Sequence, residues 1–189
     1  EQNAAGNWSS SGSRTIVIDT TAPTAPSVSG TTPTNDTTPT WSWSPGGGGN
    51  GTYRYKLDNS DLTSGATQTT STSYTPGSGI SEASHTLYVQ ERDAAGNWSS
   101  SGSRTIVIDT TAPTAPSVSG TTPTNDTTPT WSWSAGGGGN GTYRYELDNN
   151  DLTSGATQTA STSYTPGSGI SEGSHILYVQ ERDAAGNWS

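Results

Sequence analysis

Acidic side chains lie in predicted turns near both ends of a repeated unit. They are the residues whose types and spacing best suit the binding of a metal ion. Six of them are candidates for one kind of site: Asp19, Asp36, Glu82, Asp93, Asp109 and Asp183. Calcium takes six to eight oxygen ligands from carboxylates, carbonyls and water, so a calcium site at a junction between units would draw on this set. The alternative is that these carboxylates only cap turns, because Asp favours turns in any protein.

The remaining polar residues do not indicate catalysis. His85 and His175 each stand alone in their repeat, and the chain has no cysteine. An active site needs a base, a nucleophile and an orienting group in one pocket. The one G-x-S-x-G match, at residues 169–173 of the second repeat only, lacks the following helix that a nucleophile elbow needs. The four glycines at 46–49 lack the Lys-Ser/Thr ending of a phosphate-binding loop. We therefore expect no enzymatic activity, surface histidines at the start of a strand, and a flexible connecting loop.

Composition limits the class of fold and the class of partner. The formal net charge of −9 argues against nucleic acid as a partner. No apolar run approaches about 18 residues, so no membrane span is predicted. Hydrophobic residues make up only 26% of the chain, but charged residues make up only 12%, which is unlike a chain kept unfolded by charge repulsion. Seven Trp and eight Tyr supply core volume where aliphatic residues are scarce.

An internal repeat organises the chain. The segment 94–116 occurs whole at 4–26, and residues 10–99 match 100–189 except at six pairs, which gives a period of 90 residues. That period suits a β-sandwich of roughly 100 residues. We divide the chain into a last strand of a preceding repeat (1–19), a first domain (20–109) and a second domain that lacks its final strand (110–189).

Alternation of apolar and polar residues predicts about seven short strands in each unit. The clearest are 40–44, 52–58, 85–93 and 104–109. The predicted fold class is all-β, with tandem immunoglobulin-like β-sandwiches of about seven strands each. The residues predicted to form the core of the first domain are Trp41, Trp43, Tyr55, Leu57, Leu87, Val89, Ile106 and Ile108. Loops of such a sandwich cluster at its two poles, so acidic turns of one unit would meet those of the next.

The run 81–116 resembles the bacterial Ig-like, fibronectin type III-like, tandem repeats of large surface adhesins. That family carries a GxHTLxVxAxDxAGN stretch and then a strand ending in DTTAP; the chain has SHTLYVQERDAAGN and IVIDTTAP. The resemblance covers both repeats and is strongest near the end of each. Glu91 departs from the pattern, where the family more often has a small residue, and the Trp-rich strand and the four-glycine loop are also untypical. The resemblance implies an extender module of a cell-surface or secreted protein, with calcium at domain junctions in some members.

Three functions remain open from the sequence. The first is a stalk repeat of a large extracellular bacterial adhesin or filament at the cell surface, whose partners are the neighbouring repeats. The second is a carbohydrate- or ice-binding β-sandwich, for which Trp98 and Tyr88 are the candidates for exposed aromatics. The third is an accessory module of a secreted polysaccharide enzyme. The sequence does not indicate an adhesive target.

Residues 13–19 are identical to 103–109, the strand that has no counterpart in the second domain. An open strand edge is a template for another chain. We therefore expect residues 1–19 of one molecule to complete the second domain of another, head to tail, which would give an open filament. The alternative is that residues 1–19 are loose or packed on the first domain.

Overall fold

The structure, a computed structural model, describes residues 1–189 and contains strands but no helix. It therefore has no helix that is long and apolar enough to cross a membrane. The strands of the first unit are β1 (Ser27–Ser29), β2 (Trp41–Ser44), β3 (Thr52–Leu57), β4 (Thr67–Thr69), β5 (Ser73–Tyr74), β6 (Ala83–Arg92) and β7 (Gly102–Ile108). Those of the second unit are β8 (Ser117–Gly120), β9 (Trp131–Ser134), β10 (Thr142–Leu147), β11 (Thr157–Thr159), β12 (Ser163–Tyr164) and β13 (Leu177–Arg182).

Each unit is a sandwich of two antiparallel sheets, which confirms the predicted fold class. The first unit places β1-β2-β5 against β4-β3-β6-β7. The second unit repeats the arrangement with β8-β9-β12 and β11-β10-β13. The core lies between the sheets, because alternate residues of each strand point inward.

Aromatic rings fill the core of the first unit. Trp43 meets Tyr53 edge to face at 5.8 Å between ring centroids, and Trp41 stacks on Tyr74 at 6.1 Å. Of the eight predicted core residues, all are buried except Tyr55 and Leu57, which are half-buried and pack against the cluster. Sequence patterning missed Leu62, which is buried although it lies in a polar connection.

Strand β7 closes the first unit by serving both sheets. It pairs with β6 along its whole length and buries Ile106 and Ile108 completely. Trp41, in the facing sheet, donates its Nε1 proton to the Arg104 carbonyl at 3.0 Å. The Arg104 side chain donates to the Gly30 carbonyl at 3.1 Å. Because β7 joins the two sheets at one edge, a unit without it has an open core.

The described residues of the second unit include no counterpart of β7. Strand β13 has six residues, whereas its counterpart β6 has ten, because residues 173–176 have no neighbouring strand with which to form a ladder. Trp131 and Val179 are half-buried, although their counterparts in the first unit are fully buried. A groove of about 1070 Å³ lies along the open side.

Residues 1–19 form no strand and do not enter this groove. Their one element of sheet pairing is an isolated bridge between Gln2 and Trp8. Ile16, Val17 and Ile18 are 79%, 84% and 86% exposed. The segment that repeats β7 therefore stands in solvent with its apolar side chains uncovered.

Candidate functional site

A turn built around one aspartate follows β6 in the first unit and β13 in the second. It lies at the pole where the chain enters the unit. In the second unit the Asp183 carboxylate accepts hydrogen bonds from the backbone N–H groups of Gly186 at 2.7 Å and Asn187 at 2.9 Å. In the first unit Asp93 accepts the same bonds from Gly96 and Asn97. The hydrogen bond from the Asn97 side chain is the main cause that lowers the pKa of Asp93 below its usual range. These aspartates therefore act as anionic turn caps.

The asparagine of that turn holds the incoming chain. Asn187 Nδ2 donates to the Asp109 carbonyl at 2.8 Å, to the Thr111 carbonyl at 3.3 Å and to Asp183 Oδ2 at 2.8 Å. Asn97 Nδ2 holds the Asp19 carbonyl in the same way at 3.0 Å. Each unit thus fixes the segment that leads into it by its own asparagine.

The preceding unit holds the same linker from the other side. Glu82 accepts hydrogen bonds from the hydroxyls of Thr110 at 2.6 Å and Thr111 at 2.7 Å, and these bonds lower the pKa of its carboxyl group. The two units also touch directly, since the Asn35 N–H donates to the Ala185 carbonyl at 3.1 Å. We call this set the joint: Asn35, Glu82, Asp109–Thr111 and Asp183–Asn187.

The six acidic residues predicted as calcium ligands lie near the poles, but their carboxylates are not brought together. Asp36 accepts from the N–H and the hydroxyl of Thr38 at 2.8 and 3.0 Å. Asp19 and Asp109 each cap the backbone N–H two residues on. No three or more His, Cys, Asp and Glu side chains are grouped so that they could hold a metal ion. The arrangement therefore does not fit the six to eight oxygens that calcium requires. Calcium binding stays a prediction from the resemblance, and this geometry argues against it.

The two histidines are fixed by aspartates and do not stand free at the surface. His85 Nδ1 lies 2.7 Å from Asp58 Oδ2, and its Nε2 lies 3.0 Å from the Ser81 carbonyl and 3.3 Å from the Ser81 hydroxyl. This looks like a Ser-His-Asp triad, but the carbonyl can only accept, so Nε2 carries a proton. The hydrogen bond to Asp58 raises the pKa of His85, which favours the doubly protonated ring. Such a ring cannot take a proton from serine.

His175 repeats the pairing with Asp148 at 2.7 Å and with the Ser171 carbonyl at 2.9 Å, without a hydroxyl contact. The aspartate of each pair also accepts the backbone N–H of the strand opposite, as Asp58 does from Thr86 at 2.7 Å. Asp58 has a left-handed backbone, with φ of 57°. The pair therefore fastens the end of β3 to β6, which is a structural role.

Comparison with known families agrees with this architecture. Residues 22–110 match the family model described as bacterial Ig-like domain. The first unit is a bacterial Ig-like domain. The second unit repeats its sequence with few changes and repeats its strand order up to the missing β7. No curated protein matches the chain.

Each Ig-like unit also buries a glutamate that the sequence analysis did not assign to a site. Glu91 is 2% exposed and Glu181 is 1% exposed. Glu91 accepts a hydrogen bond from the Gly46 N–H at 3.3 Å and another from Tyr53, whose pKa is raised by burial and then by the Glu91 charge. A Cβ on Gly49 would overlap the Glu91 carboxylate. The four-glycine loop therefore leaves the space that the glutamate fills.

Two sequence signals could have found this contact. Glu91 and the four-glycine loop are both untypical of the Ig-like family, and they touch each other in the structure. A pair of unusual features in one repeat is what a compensating contact would produce. The loop is thus packed onto a side chain and is not merely a flexible connection.

The outer aromatic residues are partly covered. The guanidinium carbon of Arg54 lies 4.3 Å from the centre of the Trp98 ring, and that of Arg92 lies 5.9 Å from it. Trp98 and Tyr88 are both half-buried. Trp8 is the one aromatic among the exposed large hydrophobic residues, so the Ig-like units present no row of exposed rings.

Proposed function

We propose that this chain is a stalk segment of an extracellular bacterial adhesin or filament, in which Ig-like units act as rigid spacers. The observation that carries the proposal is the joint. Its linker is bonded to Glu82 of the unit before it and to Asn187 of the unit after it. A spacer needs a fixed angle between units, and these bonds supply one.

The repeat supports the same function. A ten-residue strand such as β6 extends for roughly 33 Å at about 3.3 Å per residue. Near-identical units joined in the same way therefore add length in equal steps. Nothing in the proposal requires chemistry at any residue, and we assign no catalytic role to the His85–Asp58 pair.

Small-angle scattering of Glu82→Ala tests the role of the joint. Loss of the two threonine bonds should release the linker, so the distribution of distances within the chain should broaden. Glu172→Ala is the matched control, because the same residue type in the second unit contacts no linker within the chain. Equal scattering profiles for wild type and Glu82→Ala would contradict the proposal.

The cellular part of the proposal needs a separate test. Antibodies raised against the chain should label intact cells of the source bacterium, because a stalk lies outside the envelope. Labelling only after the cells are broken would reject an extracellular role.

Of the alternatives, a carbohydrate- or ice-binding surface would require exposed flat groups in a row. Arg54 covers much of Trp98, so no specific observation favours this function. An accessory role in a polysaccharide enzyme would depend on a catalytic domain elsewhere in the same reading frame.

A further inference from the structure

Most of the Lys and Arg residues of the first unit lie on one outer face. Arg54 and Lys56 lie on β3 and Arg92 lies on β6, at positions that alternate with the inward-facing residues of those strands. Gln68 and Gln90 pair with Arg54 on either side, from β4 and β6. No outward position of these three strands holds a carboxylate. We call the surface formed by these three cations and two glutamines the basic face.

The cations of the basic face are not paired with carboxylates. The chain has 16 acidic residues, yet its only salt bridges are the two histidine–aspartate pairs. The pKa of Asp61, an exposed neighbour of the face, is lowered mainly by hydrogen bonds from Thr63, and the two cations of β3 contribute least. Arg92 is exposed, and Arg54 and Lys56 are half-buried. The charges of the basic face are therefore free to meet a ligand.

Two of the three cations are held in position by their neighbours. The guanidinium carbons of Arg54 and Arg92 lie 4.3 and 5.9 Å from the centre of the Trp98 ring. Arg54 Nε also donates to Gln90 Oε1 at 2.7 Å. That bond uses one of the five N–H donors of the guanidinium and leaves its terminal nitrogens for a ligand. A guanidinium fixed in this way loses little rotamer freedom when it binds.

We propose that the basic face binds an acidic polysaccharide through the carboxylates of its sugars. This inference goes beyond the spacer function and does not depend on it. A guanidinium matches a carboxylate with two parallel hydrogen bonds. Arg54 and Lys56 are two residues apart on β3, which places them about 6.6 Å apart along the strand. A polymer with a carboxylate on every sugar therefore offers successive charges to both, while the glutamine amides bond to sugar hydroxyls.

Charge selects this partner over other classes of ligand. A neutral sugar would need a row of exposed rings, whereas an acidic sugar is held by the cations. Duplex DNA carries one charge per about 1.7 Å of its axis, which is too dense for three cations on a chain of net charge −9. Anionic membranes are recognised by clusters of about four to eight basic residues, more than this face holds. A polymer with one charge per sugar has the charge density that fits.

The second unit provides an internal comparison, because one of the few differences between the repeats falls on this face. Arg144 and Arg182 are kept, and the guanidinium carbon of Arg144 lies 4.4 Å from the centre of the Trp188 ring. Glu146 stands where the first unit has Lys56, so an anion replaces the cation beside Arg144. The second unit should therefore bind the same polysaccharide more weakly than the first.

Calorimetric titration of the 189-residue chain with alginate, a polymer of uronic acids, tests the partner. Alginate should give saturable heat that weakens as salt is added, because the contacts are between exposed charges. Dextran, a neutral polysaccharide, and inorganic polyphosphate are the comparison ligands and should bind clearly more weakly. No binding of alginate, or equal binding of dextran, overturns the proposal. Equal binding of polyphosphate would show that any polyanion is accepted and would overturn the assignment to a polysaccharide.

Three charge variants test the location of the site. Lys56→Glu should weaken alginate binding at least about fivefold, because it removes one attraction and adds a repulsion. The fold accepts this change, since the second unit already has glutamate at the equivalent position. Glu146→Lys should strengthen binding. Arg14→Glu is the matched control, because it alters the net charge equally at an exposed residue outside both sheets, and it should bind like wild type. Equal losses for Lys56→Glu and Arg14→Glu, or no gain for Glu146→Lys, overturn the proposed site.

Discussion

The contact between Glu91 and Gly49 allows a quantitative prediction, because the buried glutamate fills space that only a glycine at position 49 leaves free. Gly49→Ala places a methyl group where the buried carboxylate lies. Overpacking of this kind costs about 1–3 kcal/mol in the free energy of unfolding. Glu91→Ala removes the clash but leaves the Tyr53 hydroxyl and the Gly46 N–H without their acceptor. Leaving the buried Tyr53 hydroxyl unpaired costs about 1–3 kcal/mol.

The double variant separates these effects. Once the carboxylate is gone, the alanine at position 49 has space, so Gly49→Ala should cost little in the Glu91→Ala background. The two changes should therefore be non-additive by about 1–3 kcal/mol, as expected for residues in direct contact. Gly77→Ala is the control substitution, because a Cβ at Gly77 meets nothing within 4 Å.

Urea unfolding of the whole chain, followed by tryptophan fluorescence and circular dichroism, measures the four free energies of the cycle. The equivalent pair Gly139 and Glu181 provides an independent repeat in the second unit. Coupling below about 0.5 kcal/mol would show that the two sites are independent. That result would refute the inference that the glycine loop leaves space for the buried glutamate.

Three further outcomes are expected. Trp41→Ala should destabilise its unit by about 3–5 kcal/mol, and Trp131→Ala should cost clearly less because its ring already borders the open groove; equal losses by residue-resolved hydrogen exchange would contradict this. Because the pKa of His85 is raised by Asp58, its stabilisation should be complete below the usual pKa of about 6.5 and decline as pH rises through the raised value. In the Asp58→Asn variant, the urea midpoint should lose the dependence on pH that His85 causes. An unchanged dependence of the midpoint on pH would show that other groups cause it. Calorimetric titration with calcium should give no binding heat, because the junction carboxylates are already bonded to threonines and backbone N–H groups; saturable heat would show that the joint rearranges around the ion.

Strand positions could be predicted because the sequence alternates strongly. In TWSWS and TYRYKL every second residue is large and apolar or aromatic, so the buried face is set by the period of two. The strands observed at Trp41–Ser44 and Thr52–Leu57 lie within the predicted segments. Aromatic packing then follows, since the chain has no Phe or Met and few aliphatic residues to fill the core.

The partners of the carboxylates could not be predicted in the same way. The sequence placed Glu82 and Asp183 near one junction, but each carboxylate is bonded to hydroxyl or backbone N–H groups whose positions depend on turn geometry. Threonine is so frequent in this chain that composition alone cannot identify which one donates to Glu82. Burial of Glu91 was also difficult to predict. The alternation of β6 places it on the inward face with Leu87 and Val89, but glutamate is rarely buried.

Strand β7 has a mechanical consequence that follows from its place in the fold. The chain enters the first unit at Pro26, just before β1, and leaves it at Asp109, just after β7. Tension along an array would therefore pull the start of β1 and the end of β7 towards opposite poles. The seven residue pairs that join β6 to β7 would be loaded together in shear, so they would have to yield as a group before the unit could extend.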